Sequence, residues 1–151
     1  MRAALALTTS MYALGACADD GASTGGAIPD CIELDLDVQS CAPLFPATYE
    51  RLHQEVFAGL DGQSGCAAGG SACHANADAA GAGGGMIFNA DADATYDAVS
   101  MFIEAGEPAC GPLSVRVHSD DAAIRMPPGD SALAEGARCA LAQWIAQGAP
   151  R

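Results

Sequence analysis

The segment SALAEGARCALAQWIAQGAP, residues 131–150, shows the clearest periodicity in the chain. Its larger apolar residues recur every three or four positions, a spacing that places side chains on one face of an α-helix. These residues are Leu133, Ala137, Leu141, Trp144 and Ile145. Asp130 or Ser131 is suited to cap the start of this helix, and Gly148 with Pro150 to end it. The segment therefore predicts an amphipathic C-terminal helix.

Two earlier stretches have the same spacing. The first follows Pro46, and its apolar positions run from Tyr49 to Leu60. The second is predicted to begin near Asp91 and to end at Gly106. Together with the C-terminal helix, they predict a mainly α-helical, loop-rich domain with few strands.

The remaining segments lack helical periodicity. Apolar and polar residues alternate between residues 30 and 45, which predicts a short strand or an extended segment held by disulfides. The alternation from Leu113 to Val117 likewise predicts a short extended piece. Residues 61–85 are rich in glycine and alanine, and a loop of this length in a compact domain is usually functional.

The N-terminus has the pattern of an export signal. Arg2 precedes apolar residues whose run is too short for a membrane span but suits a secretory signal peptide. The run ends in LGAC, residues 14–17, which resembles the lipobox of bacterial lipoproteins. An ordinary signal peptide with a chance cysteine is the alternative.

The lipobox resemblance implies a division of the chain into three parts. Residues 1–16 are then a signal peptide, residues 17–29 a flexible tether, and residues 30–151 one domain. Lipid on Cys17 would anchor the domain to a membrane of the cell envelope, where it faces the periplasm or the cell surface.

The charge balance restricts the partners. The formal net charge is -13, and all six basic residues are arginines. Nucleic acid is excluded as a partner because its phosphates would repel this charge. A basic redox partner protein remains compatible with it.

Six cysteines remain once Cys17 is set aside, and an exported protein meets oxidising conditions. Three disulfides are therefore the simplest expectation, with the connectivity left open. Cys31 with Cys41 would close a short loop, and Cys110 with Cys139 would tie a loop to the last helix. Cys66 and Cys73 are then left over.

Cys66, Cys73 and His74 have the order of a c-type haem attachment segment, in which two thioethers hold haem and the histidine binds iron. Met126, within RMPPG at residues 125–129, is a candidate second ligand because Met/His pairs are usual in cytochromes c. The sequence thus indicates haem c, with iron between His74 and Met126.

Over residues 46–149 the order of elements resembles the cytochrome c-like domains of envelope lipoproteins from myxobacteria and related groups. The shared features are a Cys…CysHis segment, a glycine-rich turn, a Met-Pro-Pro and a last helix ending in Trp-Ile-x-x-Gly-Ala. The resemblance implies a small cytochrome c-like fold and electron transfer, without catalytic activity. The chain departs from the common attachment motif by having six residues, rather than two, between Cys66 and Cys73.

That departure keeps other interpretations open. Cys66 and Cys73 would form a disulfide beside a surface His74 in a cofactor-free structural or interaction lipoprotein with a degenerate cytochrome fold. A zinc site formed by these residues with His53 is a weaker alternative, since His53 on an apolar helix face favours a core position. For His118, beside two aspartates, we expect a solvated loop rather than a catalytic role.

Overall fold

The structure is a computed structural model that describes residues 28–59, 66–67, 73–79, 81–128 and 132–151. The predicted signal peptide, the predicted lipidation site Cys17 and the predicted tether up to residue 27 lie outside these residues.

The described part of the chain is mainly α-helical, as predicted. It contains no strand, and its β-structure is a single antiparallel bridge between Cys31 and Cys110. Its helical elements are α1 (Tyr49–Leu52), a π-helical turn (His53–Phe57), a 3-10 turn (Gly83–Gly85), α2 (Ala92–Ser100), α3 (Pro112–His118) and α4 (Glu135–Ala146). None of these helices has the length and apolar character needed to span a membrane.

The first predicted helix is confirmed, but only its first turn is α-helical. The Thr48 side chain accepts a hydrogen bond from the backbone N–H of Arg51 and caps α1. The chain then widens into the π-helical turn, a local geometry that is frequent at functional sites. Backbone N–H groups of Cys66 and Ala67 donate to the carbonyls of Val56 and Phe57 at 2.8 and 3.0 Å, which brings the later segment onto this turn.

The second predicted helix is also confirmed. Asp91 caps α2 by accepting hydrogen bonds from the N–H groups of Asp93 and Ala94. The helix ends at Ser100, earlier than the predicted end at Gly106.

The extended piece predicted from Leu113 to Val117 is wrong, because these residues form α3. Gly111, with φ 85°, turns the chain, and Pro112 occupies the first turn, where its missing N–H costs nothing. Ser114 is fully buried and its hydroxyl donates to the carbonyl of Pro108. Ser114 therefore does not face the solvent, as a polar residue in an alternating strand would, and the alternating pattern does not indicate a strand here.

The C-terminal helix is confirmed as α4 and forms the centre of the core, but it begins at Glu135 with Ala134 at the N-cap, so neither of the predicted caps, Asp130 and Ser131, stands at its start. Leu141, Trp144 and Ile145 are fully buried, and the Trp144 indole N–H donates to the carbonyl of Pro150 at 2.7 Å. Gly136 lets an extended segment cross this helix closely. A Cβ on Gly136 would lie 2.9 Å from the backbone nitrogen of Leu44.

Two disulfides tie the N-terminal segment to the helical core, and their pairing differs from the local pairs expected. Cys31 pairs with Cys110, and Cys41 with Cys139, across 79 and 98 positions of sequence. The reason is that residues 28–44 run across the domain instead of folding on themselves. Arg138 of α4 reinforces the crossing through an ion pair with Asp35 at 2.8 Å.

Candidate functional site

A small, almost wholly apolar cavity of about 20 Å³ lies between the π-helical turn, α3 and the segment around Met126. Its apolar walls are Val56, Phe57, Phe88, Leu113, Val117 and Leu133. The lining residues whose side chains carry a sulfur or nitrogen atom are Cys66, His74, Met86, Arg116 and Met126. Three residues that the sequence analysis selected for one cofactor, Cys66, His74 and Met126, are therefore brought to one cavity.

His74 is buried, with 5% of its surface exposed, so the surface position of the cofactor-free alternative is wrong. Its Nδ1 lies 2.9 Å from the carbonyl oxygen of Met86. A carbonyl oxygen only accepts, so Nδ1 carries the proton and the lone pair is on Nε2. Metal-binding histidines are usually oriented by such a contact to a carbonyl.

Burial lowers the pKa of His74, and the nearby Arg116 guanidinium lowers it further, while the hydrogen bond to Met86 opposes the shift. The imidazole is therefore held in its neutral form, the form that binds a metal. The Phe88 ring, 4.9 Å from the imidazole centroid, and the Phe88 N–H, which donates to the His74 carbonyl at 2.7 Å, fix its position.

Gly81 explains part of the glycine-rich loop. Its N–H donates to the Cys73 carbonyl at 2.7 Å, so the chain folds back directly over His74. A Cβ at Gly81 would lie 2.6 Å from that oxygen and 2.9 Å from the Nε2 of His74. Only glycine leaves room for the imidazole here.

Met126 is half-buried and also lines the cavity. Its N–H donates to the Arg116 carbonyl at 2.9 Å, which attaches the Met-Pro-Pro segment to α3. The Met126–Pro127 peptide bond is cis.

Cys66 carries a free thiol at the cavity, and burial raises its pKa to about 11, so the thiol stays protonated at neutral pH. The Cys66–Cys73 disulfide of the cofactor-free alternative is therefore not formed. Cys73 is disulfide-bonded, and the cavity lining does not include it.

The donor set suits haem iron, because a neutral imidazole and a thioether are the usual ligand pair of cytochromes c. The volume does not suit haem in this conformation, since about 20 Å³ accommodates roughly one water molecule. Haem binding would therefore require the walls of the cavity to move apart.

Neither of the other histidines lines the cavity. His53 is a core residue whose Nε2 lies 2.8 Å from the Asn89 carbonyl oxygen. His118 ends α3 and is 3% exposed, so the expected solvated loop is wrong. Within the described ranges, neither of its ring nitrogens has a hydrogen-bond partner, and no three His, Cys, Asp or Glu side chains gather as a metal site.

The residues that sequence reasoning missed are Phe88, Gly81 and Arg116. Arg116 had a signal in the sequence, because it is the one charged residue within the apolar run LSVRV.

The sequence matches no family model, and neither the curated proteins nor the solved structures include a significant match. The functional assignment therefore depends on the cavity itself.

Proposed function

We propose that this chain is a haem c-binding electron-transfer module of an envelope lipoprotein, anchored through Cys17. The observation that carries the proposal is the convergence of His74, Met126 and Cys66 on one apolar cavity. His74 and Met126 are 52 positions apart in sequence (126 minus 74), so their meeting is a result of folding.

In this proposal each residue has a separate task. His74 would bind iron through Nε2, with its ring oriented by the Met86 carbonyl, and Met126 would offer its thioether as a second ligand. Cys66 would form a thioether to the porphyrin, whereas Cys73 is disulfide-bonded and would have to be reduced before it could form the second thioether that the sequence suggests. The phenylalanines and leucines of the walls exclude water, which together with the axial ligands sets the reduction potential. Haem itself supplies the one-electron chemistry.

The proposal is tested by exporting the chain in a strain with intact cytochrome c maturation. We expect a sharp Soret band, haem staining after denaturing electrophoresis, and a mass increase of one haem on the peptide that contains Cys66. His74→Ala should abolish the six-coordinate low-spin spectrum, and Met126→Ala should lower the midpoint potential. A wild-type protein that shows no Soret band and whose Cys66 peptide has its unmodified mass would refute the proposal.

A second candidate is favoured by the small volume of the cavity and by the two disulfides, which hold the domain without a cofactor. In this case the chain is a cofactor-free structural or interaction lipoprotein. The same mass measurement separates the two candidates, because the second predicts an unmodified Cys66.

A further inference from the structure

Sulfur is concentrated at the cavity. Two of the three methionines among the described residues, Met86 and Met126, line it, and so does Cys66 with its free thiol. His74 adds an imidazole to the same lining. The cavity thus gathers one thiol, two thioethers and one imidazole, whereas the proposed haem function uses only the thioether of Met126.

The size of the closed cavity limits what these side chains can bind together. About 20 Å³ holds roughly one water molecule, so the cavity accommodates a single ion and no organic ligand. Thiol and thioether sulfurs are weakly polar and polarisable, and they line an apolar cavity without the desolvation cost of carboxylates. The cavity therefore matches a dehydrated ion that prefers sulfur ligands.

The donor types select among metal ions. Structural Zn(II) sites take four ligands from cysteine, histidine and carboxylate side chains, and no three such side chains gather among the described residues. Thiolate and thioether sulfurs are soft donors that favour Cu(I). The Met86 carbonyl lies 2.9 Å from the Nδ1 of His74, which leaves Nε2 as the nitrogen that can bind a metal.

The charge balance agrees with a monovalent ion. Binding would replace the S–H bond of Cys66 by a Cu–S bond and release the proton to water, with no change in oxidation state. Cu(I) and one thiolate together carry no net charge, so their burial avoids the large cost of placing an isolated charge in an apolar cavity.

We propose that the closed cavity binds one Cu(I) ion among Cys66, His74, Met86 and Met126. This inference goes beyond the proposed function and does not rest on it, because a single ion fits the closed cavity, whereas haem requires the walls to move apart.

The test is an anaerobic competition titration of the full chain, isolated free of haem from a strain without cytochrome c maturation. Ascorbate keeps the copper as Cu(I), and the chromophoric chelator bicinchoninate reports how much Cu(I) the protein has withdrawn. We expect wild-type protein to withdraw one Cu(I) ion per chain, and we expect equimolar Zn(II) not to displace it.

Cys66→Ser and Met126→Leu should each weaken Cu(I) binding by about ten- to a hundredfold, the loss that removal of an outer-shell partner already causes at a metal site. Met126→Leu keeps the size and apolar character of the side chain, so the fold should be retained. Met101→Leu is the matched control, because Met101 is 64% exposed and lies outside the lining, and it should bind Cu(I) as wild type does. The near-ultraviolet circular dichroism of the buried Trp144 shows that each variant is folded.

Three results would overturn the copper site. Wild-type protein could withdraw no Cu(I), a folded Cys66→Ser or Met126→Leu variant could bind Cu(I) as tightly as wild type, or equimolar Zn(II) could displace the copper. None of these results bears on the haem function, which the Soret band and the mass of the Cys66 peptide test separately.

Discussion

At the residue scale, the surroundings of three residues near the cavity or the core are set by tertiary packing and not by the local sequence. His74 is neutral because it is buried beside Arg116, and Gly81 is glycine because the imidazole occupies the space of a Cβ. His118 is buried in the same neutral state without a hydrogen bond. Each of these makes a single substitution informative.

Replacing Gly81 should disturb His74 directly. Gly81→Ala places a methyl group 2.6 Å from the Cys73 carbonyl and 2.9 Å from the imidazole, so the loop or the ring must move. We expect a loss of about 1–3 kcal/mol in the free energy of unfolding, and a lower yield of bound haem. The control is Gly106→Ala, where a Cβ meets nothing within 4 Å and only the positive φ carries a cost. Equal haem yields from both variants would contradict the crowding argument.

His118 should make the domain less stable at mildly acidic pH. The pKa of His118 is lowered to about 4. Burial is the main cause and the Arg138 charge adds to it, whereas Asp35 opposes the shift. In the unfolded chain His118 binds a proton below its ordinary pKa of ~6.5, whereas in the folded chain it does so only below its lowered pKa of about 4. The free energy of unfolding therefore falls as pH decreases between these two values.

Chemical denaturation at pH 7 and pH 5 measures this effect. Protonation of His118 should cost the wild-type protein about 2 kcal/mol of unfolding free energy at pH 5, the amount that the two pKa values imply. We expect His118→Leu to lack this loss. The comparison is made as a difference between variant and wild type, so the titration of carboxylates common to both cancels. A variant with the same pH dependence as wild type would show that His118 protonates normally in the folded chain.

At the element scale, the helices are short and the long N-terminal segment holds them together. Residues 28–44 contact α4 through a disulfide, the Arg138–Asp35 ion pair and a 2.9 Å hydrogen bond from the Leu44 N–H to the Gly136 carbonyl. The exposed ion pair contributes little by itself. The covalent links therefore carry most of this attachment.

Removal of the Cys41–Cys139 disulfide should show how much this link contributes to the free energy of unfolding. The double variant Cys41→Ala/Cys139→Ala frees a loop of 98 positions, and a native disulfide of this kind stabilises a small domain by about 2–5 kcal/mol. Urea unfolding gives the value, and Cys31→Ala/Cys110→Ala provides the comparison. Should both double variants unfold at the wild-type midpoint, the N-terminal segment is held by other contacts.

At the scale of the whole molecule, the dominant property is charge. The formal net charge of the whole chain is -13, and a charge of this size creates a field that attracts basic proteins over distances beyond contact. This field supports the proposal of a basic redox partner.

Under the proposed function, electron transfer from the haem-loaded chain to a small basic c-type cytochrome should therefore depend strongly on salt. We expect the second-order rate constant to fall at least about tenfold as screening shortens the range of attraction. Stopped-flow absorbance at low and high ionic strength measures it, and an acidic acceptor of similar potential is the control. A rate constant that rises with salt for the basic acceptor would exclude electrostatic steering.

The sequence by itself determined the mainly helical character and the positions of α1, α2 and α4, because the period of apolar residues and the caps Thr48 and Asp91 are local signals. It also selected Cys66, Cys73, His74 and Met126 as one set. Only the tertiary structure decided that three of these line one cavity while Cys73 does not, and that the cysteines of the N-terminal segment pair with distant ones. Each of these depends on contacts between residues far apart in sequence. The helical α3 and the buried His118 belong to the same group, because packing against the rest of the domain outweighs a short alternating pattern.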